Sequence, residues 1–124
     1  MHKAILILAG LALAVVGAAT LFAPAAFHAL NGTELGDSAA LLSEIRASGG
    51  ALLATGVLVV AGAFAPRLTA TAALVGTILH LSYGLSRVLG LALDGLPPAS
   101  LLAAAVAEVL LGLACLRVLG SRPA

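Results

Sequence analysis

Four long apolar stretches set the plan of this chain: Ala4 to Ala23, about Leu42 to Phe64, Leu68 to Leu93 with Asp94 closing it, and Ala99 to about Leu119. Crossing the hydrocarbon core of a bilayer takes about 20 predominantly apolar residues, each rising about 1.5 Å along a helix. The pattern therefore predicts four transmembrane helices. Pro24 stops the first, Pro66 the second, and Gly95-Leu96-Pro97-Pro98 follows the third. The first stretch, with Lys3 ahead of it and the small run Val16-Gly17-Ala18-Ala19, has the outline of a signal peptide. Its apolar character continues past the small run to Phe22 and Ala23, which favours a retained helix.

The segments between the helices differ in kind. Residues 24–41 form the longest loop, in which Pro24 to Leu30 has the makings of a short interfacial helix and Asp37 or Ser38 can cap the second span. Pro66 and Arg67, by contrast, leave room only for a tight turn between antiparallel neighbours. His28 reads most simply as a solvated interfacial residue.

The third span carries the polar residues that set it apart. At about 100° per residue, His80, Tyr83 and Arg87 project within about 60° of one another, with Thr69, Gly76 and Asp94 on the same side. Val75, Ile78, Leu85 and Leu89 take the opposite side. One face is thus suited to lipid and the other to protein or a polar cavity. In the second span Glu44, Ser48, Ala51, Thr55 and Gly62 share a face that is small after the first residue, and Gly49, Gly50 and Gly56 add to it. A small face lets a neighbouring helix come close, which is how helices associate where lipid is as apolar as leucine.

Composition fixes the class. Hydrophobic residues make up 62% of the 124 positions and charged ones 9%, against about 45–50% and about 25% in soluble domains. This is the make-up of an integral membrane protein, with room for one domain. A net charge of +1 without any basic run excludes a phosphate-tracking surface, so no nucleic-acid partner is expected. The richness in Ala, Gly and Leu resembles that of bacterial proteins from genomes rich in G and C. Cys115, the single cysteine, forms no internal disulfide and reads as a small apolar filler.

Charge also orients the helices. With both termini cytoplasmic, Lys3, Arg67, Arg117 and Arg122 collect inside, while Glu34, Asp37 and Asp94 lie outside with Glu44, Arg46 and Arg87 at the outer edge, as the positive-inside rule requires. The expectation is an all-α, four-helix antiparallel bundle of the cytoplasmic (inner) membrane, built as two helical hairpins joined by the long outer loop.

Depth then defines a candidate site. By rise per residue His80 lies about 18 Å from the inner edge, Glu108 about 15 Å from the outer edge, and Arg87 about 28 Å from the inner edge. An isolated charge at the bilayer centre costs about 2.5 kcal/mol or more, so Glu108 is expected to face inward, either protonated or held ionised by His80 or Arg87. Two layers follow: Glu44, Arg46, Arg87 and Asp94 near the outer surface, and His80 with Glu108, beside Tyr83, deeper down. Each has a plainer reading. His80 with Glu108 can be interhelical glue, Tyr83 an ordinary packing residue, and Arg46 and Asp94 interfacial anchors. A metal needs three or four convergent ligands, and His2 and His28 fall on opposite sides of the membrane, so no metal is expected. No nucleophile elbow, phosphate-binding glycine loop or paired-cysteine motif is present, and no cofactor is expected.

Glu44-Ile45-Arg46-Ala47-Ser48-Gly49-Gly50, then Gly84-x-x-Arg87-x-x-Gly90-x-x-x-Asp94-Gly95-x-Pro97, then Glu108 followed by Gly112, resemble in order and topology the small bacterial four-helix membrane proteins called domain of unknown function 4345. The resemblance covers about Phe22 to Leu119, with Ser48 standing where an aromatic would precede the glycine pair. It implies a fold and a membrane location and no activity, and it marks Glu44, Arg46, Arg87, Asp94 and Glu108 as motif positions. The layout is similar, more distantly, to DoxX-like membrane proteins, some of which are linked to quinone chemistry.

Three functional expectations result. The first is a bundle that binds a small amphipathic or lipid-like molecule, of which a quinone is one example, with Arg46 and Arg87 at its polar end and His80, Tyr83 and Glu108 deeper. The second is a structural subunit without its own ligand, docking through Ser48, Ala51, Thr55 and Gly62 on a larger membrane complex or a further copy of itself. The third, with no motif behind it, is an enzyme using Glu108 and His80 for proton transfer.

Overall fold

The computed structural model describes residues 1–121; Arg122, used above to orient the chain, lies outside the described residues. The fold is all-helical, 84% helix with no strand among the described residues. Helix α1 spans His2–Phe22, α2 Pro24–Leu30, α3 Ala39–Ala61, α4 Thr69–Asp94 and α5 Ala99–Gly120, with a 3₁₀ turn at Pro66–Leu68 before α4. All but α2 are long and apolar enough to cross a membrane.

Local chemistry explains the boundaries. Pro24 sits in the first turn of α2, where its missing N–H costs nothing. The Ser38 hydroxyl caps α3 by accepting from the Leu41 N–H at 3.3 Å. After Pro66, the Thr69 hydroxyl donates to the Gly62 carbonyl at 2.8 Å and locks the turn. Helix α4 ends at Gly95, whose φ of +95° only glycine adopts without strain.

The long helices pair two by two, but the long loop lies within the first pair instead of joining the two hairpins. Helix α1 packs most extensively on α3, across the long loop, and α4 on α5; α3 meets α4 and α1 meets α5 over smaller areas. The cause is a reciprocal set of glycines. Gly10 faces Gly56 and Gly17 faces Gly49 in opposite order, so that a Cβ on Gly56 would lie 2.7 Å from the Gly10 carbonyl oxygen and one on Gly49 2.9 Å from that of Gly17. Backbone thus lies on backbone, the geometry that small residues permit in lipid. Only part of the expected small face takes part. Gly49 and Gly62 are buried, but Ser48 and Ala51 are exposed, Thr55 is half-buried and bonds its own helix at Ala51, and Gly50 has no neighbour within 4 Å of its Cβ position.

The core divides along its length. Leu6, Ala9, Val59, Ala72, Ala73, Cys115 and Val118 form a buried layer toward one end. At that end Lys3 lies over the Phe64 ring at 4.4 Å and the Ser121 hydroxyl is 3.0 Å from His2 Nε2. At the other end Ser100 bonds Asn31 at 3.0 Å, and the Arg46 guanidinium donates to the Leu21 carbonyl. Leu8, Leu11, Val15, Val57, Ile78, Leu85, Leu89 and Leu110 point outward, a surface that fits lipid and not water.

Gly56→Ala forces a methyl into the α1 backbone and is expected to lower stability by about 1–3 kcal/mol. Gly50→Ala meets nothing and is expected to raise it by about 0.5–1 kcal/mol through helix propensity. Unfolding of the two variants in detergent, followed by circular dichroism, measures both.

Candidate functional site

The seven candidate residues separate into one converging group and three outliers. His80, Tyr83 and Arg87 of α4 and Glu108 of α5 line a single cleft of about 170 Å³. Its remaining wall is apolar and comes from α1 through Ala12, Leu13 and Val16, from α5 through Ala104, Ala107 and Leu111, and from α3 through Leu52. Asp94 lines a neighbouring cleft of about 210 Å³ between the ends of α4 and α5, together with Gly90, Gly95 and Pro97, and Arg87 borders both. Arg46 is exposed and tied to the carbonyl of Leu21, and Glu44 is exposed near the start of α3. Neither reaches the cleft.

Close packing of α4 on α5 creates the central contact. A Cβ on Gly84 would lie 2.7 Å from Val109 Cγ2 and 3.2 Å from the Val109 nitrogen. Only glycine lets α5 come so near, and one turn further along α4 the Arg87 Nε donates to Glu108 Oε2 at 2.9 Å. The pair is partly shielded, with side chains 32% and 17% exposed. The expected layers are therefore regrouped: the deep carboxylate pairs with the guanidinium instead of the imidazole, and Asp94 is not its partner.

His80 is 2% exposed. Its Nε2 lies 3.1 Å from the Ala9 carbonyl oxygen on α1. A carbonyl only accepts, so Nε2 carries the proton and donates. The other ring nitrogen, Nδ1, is buried without a hydrogen-bond partner. An unsatisfied buried polar atom is uncommon and costs about 1–3 kcal/mol. His80 and Glu108 are not hydrogen-bonded to each other: Nε2 donates to the Ala9 carbonyl and Glu108 Oε2 accepts from Arg87.

Of two further contributors, sequence reasoning missed the Ala9 carbonyl and met Gly84 only as a motif position, without its role in the site. The Ala9 carbonyl, which orients His80, is a backbone group on a helix without an ionisable residue after Lys3, so nothing in its sequence marks it. Gly84 carried a signal, since it stands one turn before Arg87 on the same face. Among the described residues no cluster of His, Cys, Asp or Glu could hold a metal.

The sequence model of the family described as Domain of unknown function (DUF4345) matches residues 1–119. The chain belongs to the DUF4345 family. No curated protein and no solved structure gives a match, and the more distant likeness to DoxX-like proteins finds no support. In this DUF4345 chain the motif residues of α4 and α5 gather at the α4–α5 seam, where Arg87, Gly90, Asp94, Gly95 and Pro97 line the cleft near the end of α4 and Glu108 meets Arg87 at the neighbouring one, while the Glu44–Gly50 motif lies on α3 apart from both.

Removing one member of a shielded ion pair leaves its partner bare, while removing both leaves an apolar contact. Arg87→Met and Glu108→Met are each expected to cost about 2 kcal/mol, and the double variant less than the sum. A double-mutant cycle in chemical unfolding reads the coupling.

Proposed function

We propose that this chain is a multi-pass protein of the cytoplasmic membrane that binds a small amphipathic or lipid-like molecule in the cleft lined by His80, Tyr83, Arg87 and Glu108. One observation carries the reading: four polar side chains from two helices meet at an otherwise apolar cleft of about 170 Å³. Small-molecule sites have this composition, an apolar wall with a few placed polar groups. The molecule's apolar part lies against Ala12, Leu13, Val16 and Leu52, and its polar head meets Arg87, with a quinone-sized ring as one fit. Arg46, held by the Leu21 carbonyl, takes no part.

The same reading includes the membrane arrangement, an antiparallel bundle with both termini inside. Its support is the clustering of Lys3, Phe64, His2 and Ser121 at one end and of Asn31, Ser100, Arg46 and Leu21 at the other, with Arg67 and Arg117 on the first side and Glu34, Asp37 and Asp94 on the second.

A second reading, a structural subunit packing on a membrane partner through α3, is favoured by the outward position of Ser48, Ala51 and Gly50. Crosslinking in native membranes from positions 48 and 51 separates the two: a reproducible protein adduct supports docking, and its absence leaves the cleft as the functional feature.

Native mass spectrometry of the protein extracted from its own membranes in mild detergent is expected to show a bound species of lipid-like mass, lost in Arg87→Ala. A bare protein mass, unchanged by Arg87→Ala, overturns the ligand reading.

A further inference from the structure

We infer that the second cleft, at the end of α4, seats one phospholipid with a primary-ammonium head, its ammonium at Asp94 and its phosphate at Arg87. This cleft of about 210 Å³ shares only Arg87 with the cleft lined by His80, so the inference stands apart from what that cleft holds.

Charge selects the head. The Arg87 Nε donates to Glu108 Oε2 at 2.9 Å, and the two charges offset each other. Asp94, which lines the cleft and is exposed, makes no ion pair or hydrogen bond among the described residues. Its carboxylate stands in the last turn of α4, where the helix dipole disfavours negative charge and no basic residue offsets it. The cleft therefore holds one uncompensated negative charge beside apolar surface. A cation carried on a lipid satisfies it, and a second anion does not.

Order and depth select the phospholipid. Helix α4 has 26 residues, about 39 Å at about 1.5 Å per residue, which exceeds a hydrocarbon core of about 30 Å and carries Asp94 into the headgroup layer. Asp94 leans back along its helix, with Oδ2 3.8 Å from the Cβ position of Gly90. Gly90 in turn lies about 4.5 Å beyond Arg87 along the axis, at about 1.5 Å per residue. The two seats thus follow one another, the guanidinium deeper and the carboxylate nearer the helix end. A phospholipid lying along the bundle presents its groups in that order: acyl chains, phosphate, ammonium. Arginine carries its donors in a fixed fork, and with Nε turned to Glu108 its terminal nitrogens make no hydrogen bond among the described residues. They are left to donate to a phosphate oxygen without breaking the pair. Val88, Leu91, Leu101 and Leu102 complete the wall, and Val88 and Leu91 are exposed. Acyl chains cover them, and a head without chains leaves them bare.

The test uses the full chain, stripped of lipid in detergent and titrated with dioleoyl lipids bearing ethanolamine, choline or glycerol heads, with bound lipid counted by native mass spectrometry. The ethanolamine lipid is expected to bind about tenfold more tightly than the glycerol lipid, the size of one charge-assisted hydrogen bond. The choline lipid, whose head has no N–H to donate, is expected to fall between them. Asp94→Asn, at an exposed position, is expected to abolish the preference, and Asp94→Lys to reverse it in favour of the glycerol lipid. Glycerophosphoethanolamine, the same head without chains, is expected not to displace the bound lipid. Equal binding of the ethanolamine and glycerol lipids, a preference that survives in Asp94→Asn, or displacement by the chainless head overturns the inference. Asp94 lies outside the cleft lined by His80, so none of these results bears on the ligand reading proposed above.

Discussion

Hydrocarbon offers a polar group no partner, and that single constraint organises this molecule. Backbone groups answer it by helix formation in every long apolar segment. Ionisable side chains answer it by turning inward, where Arg87 finds Glu108 and His80 finds the Ala9 carbonyl. Between lipid and lipid-like side chains there is no hydrophobic drive to associate. Helix contact must come from close fit and from these polar bonds, which is why glycines and a handful of polar residues determine the arrangement while the many leucines do not.

The glycines explain why α1 pairs with α3 although the longest loop separates them. A loop's closure entropy rises only slowly with length, so 16 residues between Phe22 and Ala39 weigh little against two backbone-to-backbone seats at Gly10–Gly56 and Gly17–Gly49. The tight turn after α3 fixes where α4 begins but does not give α3 and α4 the larger interface. Loop length and extent of packing are separate quantities here: the short turn before α5 joins a well-packed pair, and the short turn before α4 does not.

Element identity was legible because each helix is long and punctuated by Pro24, Ser38, Pro66 and Pro98. The buried face of α4 was legible in the main: Gly76 and His80 are buried, Tyr83 and Arg87 half-buried, and Ile78, Leu85 and Leu89 exposed, whereas Val75, expected on the lipid side, is half-buried against the core and Asp94, expected on the protein side, is exposed at the helix end. Partner choice was not. Depth places His80 and Glu108 at one level, yet level says nothing of azimuth, and the glycine at position 84 rotates the decision by bringing Val109 and hence Glu108 against Arg87. Likewise, counting small residues on α3 could not separate Gly49, which meets Leu21 and Gly17, from Ser48 one residue away, which faces outward. A helix turns by about 100° per residue, so neighbouring small residues have different fates.

The position of the cleft follows from the same rule. Toward the Lys3 end, Gly10, Gly56, Gly62 and Gly76 each have a neighbouring atom where their Cβ would be, and the interior there is filled. Beyond Gly84 small residues continue, as Ala12, Ala104 and Ala107, but they line open space. Small residues therefore do two different things: at Gly10–Gly56 and Gly17–Gly49 they seat the α1 backbone on that of α3, and at Ala12, Ala104 and Ala107 they border open space. The polar side chains gather at the open end because there a shielded pair such as Arg87–Glu108 keeps a border with space that something other than protein can occupy.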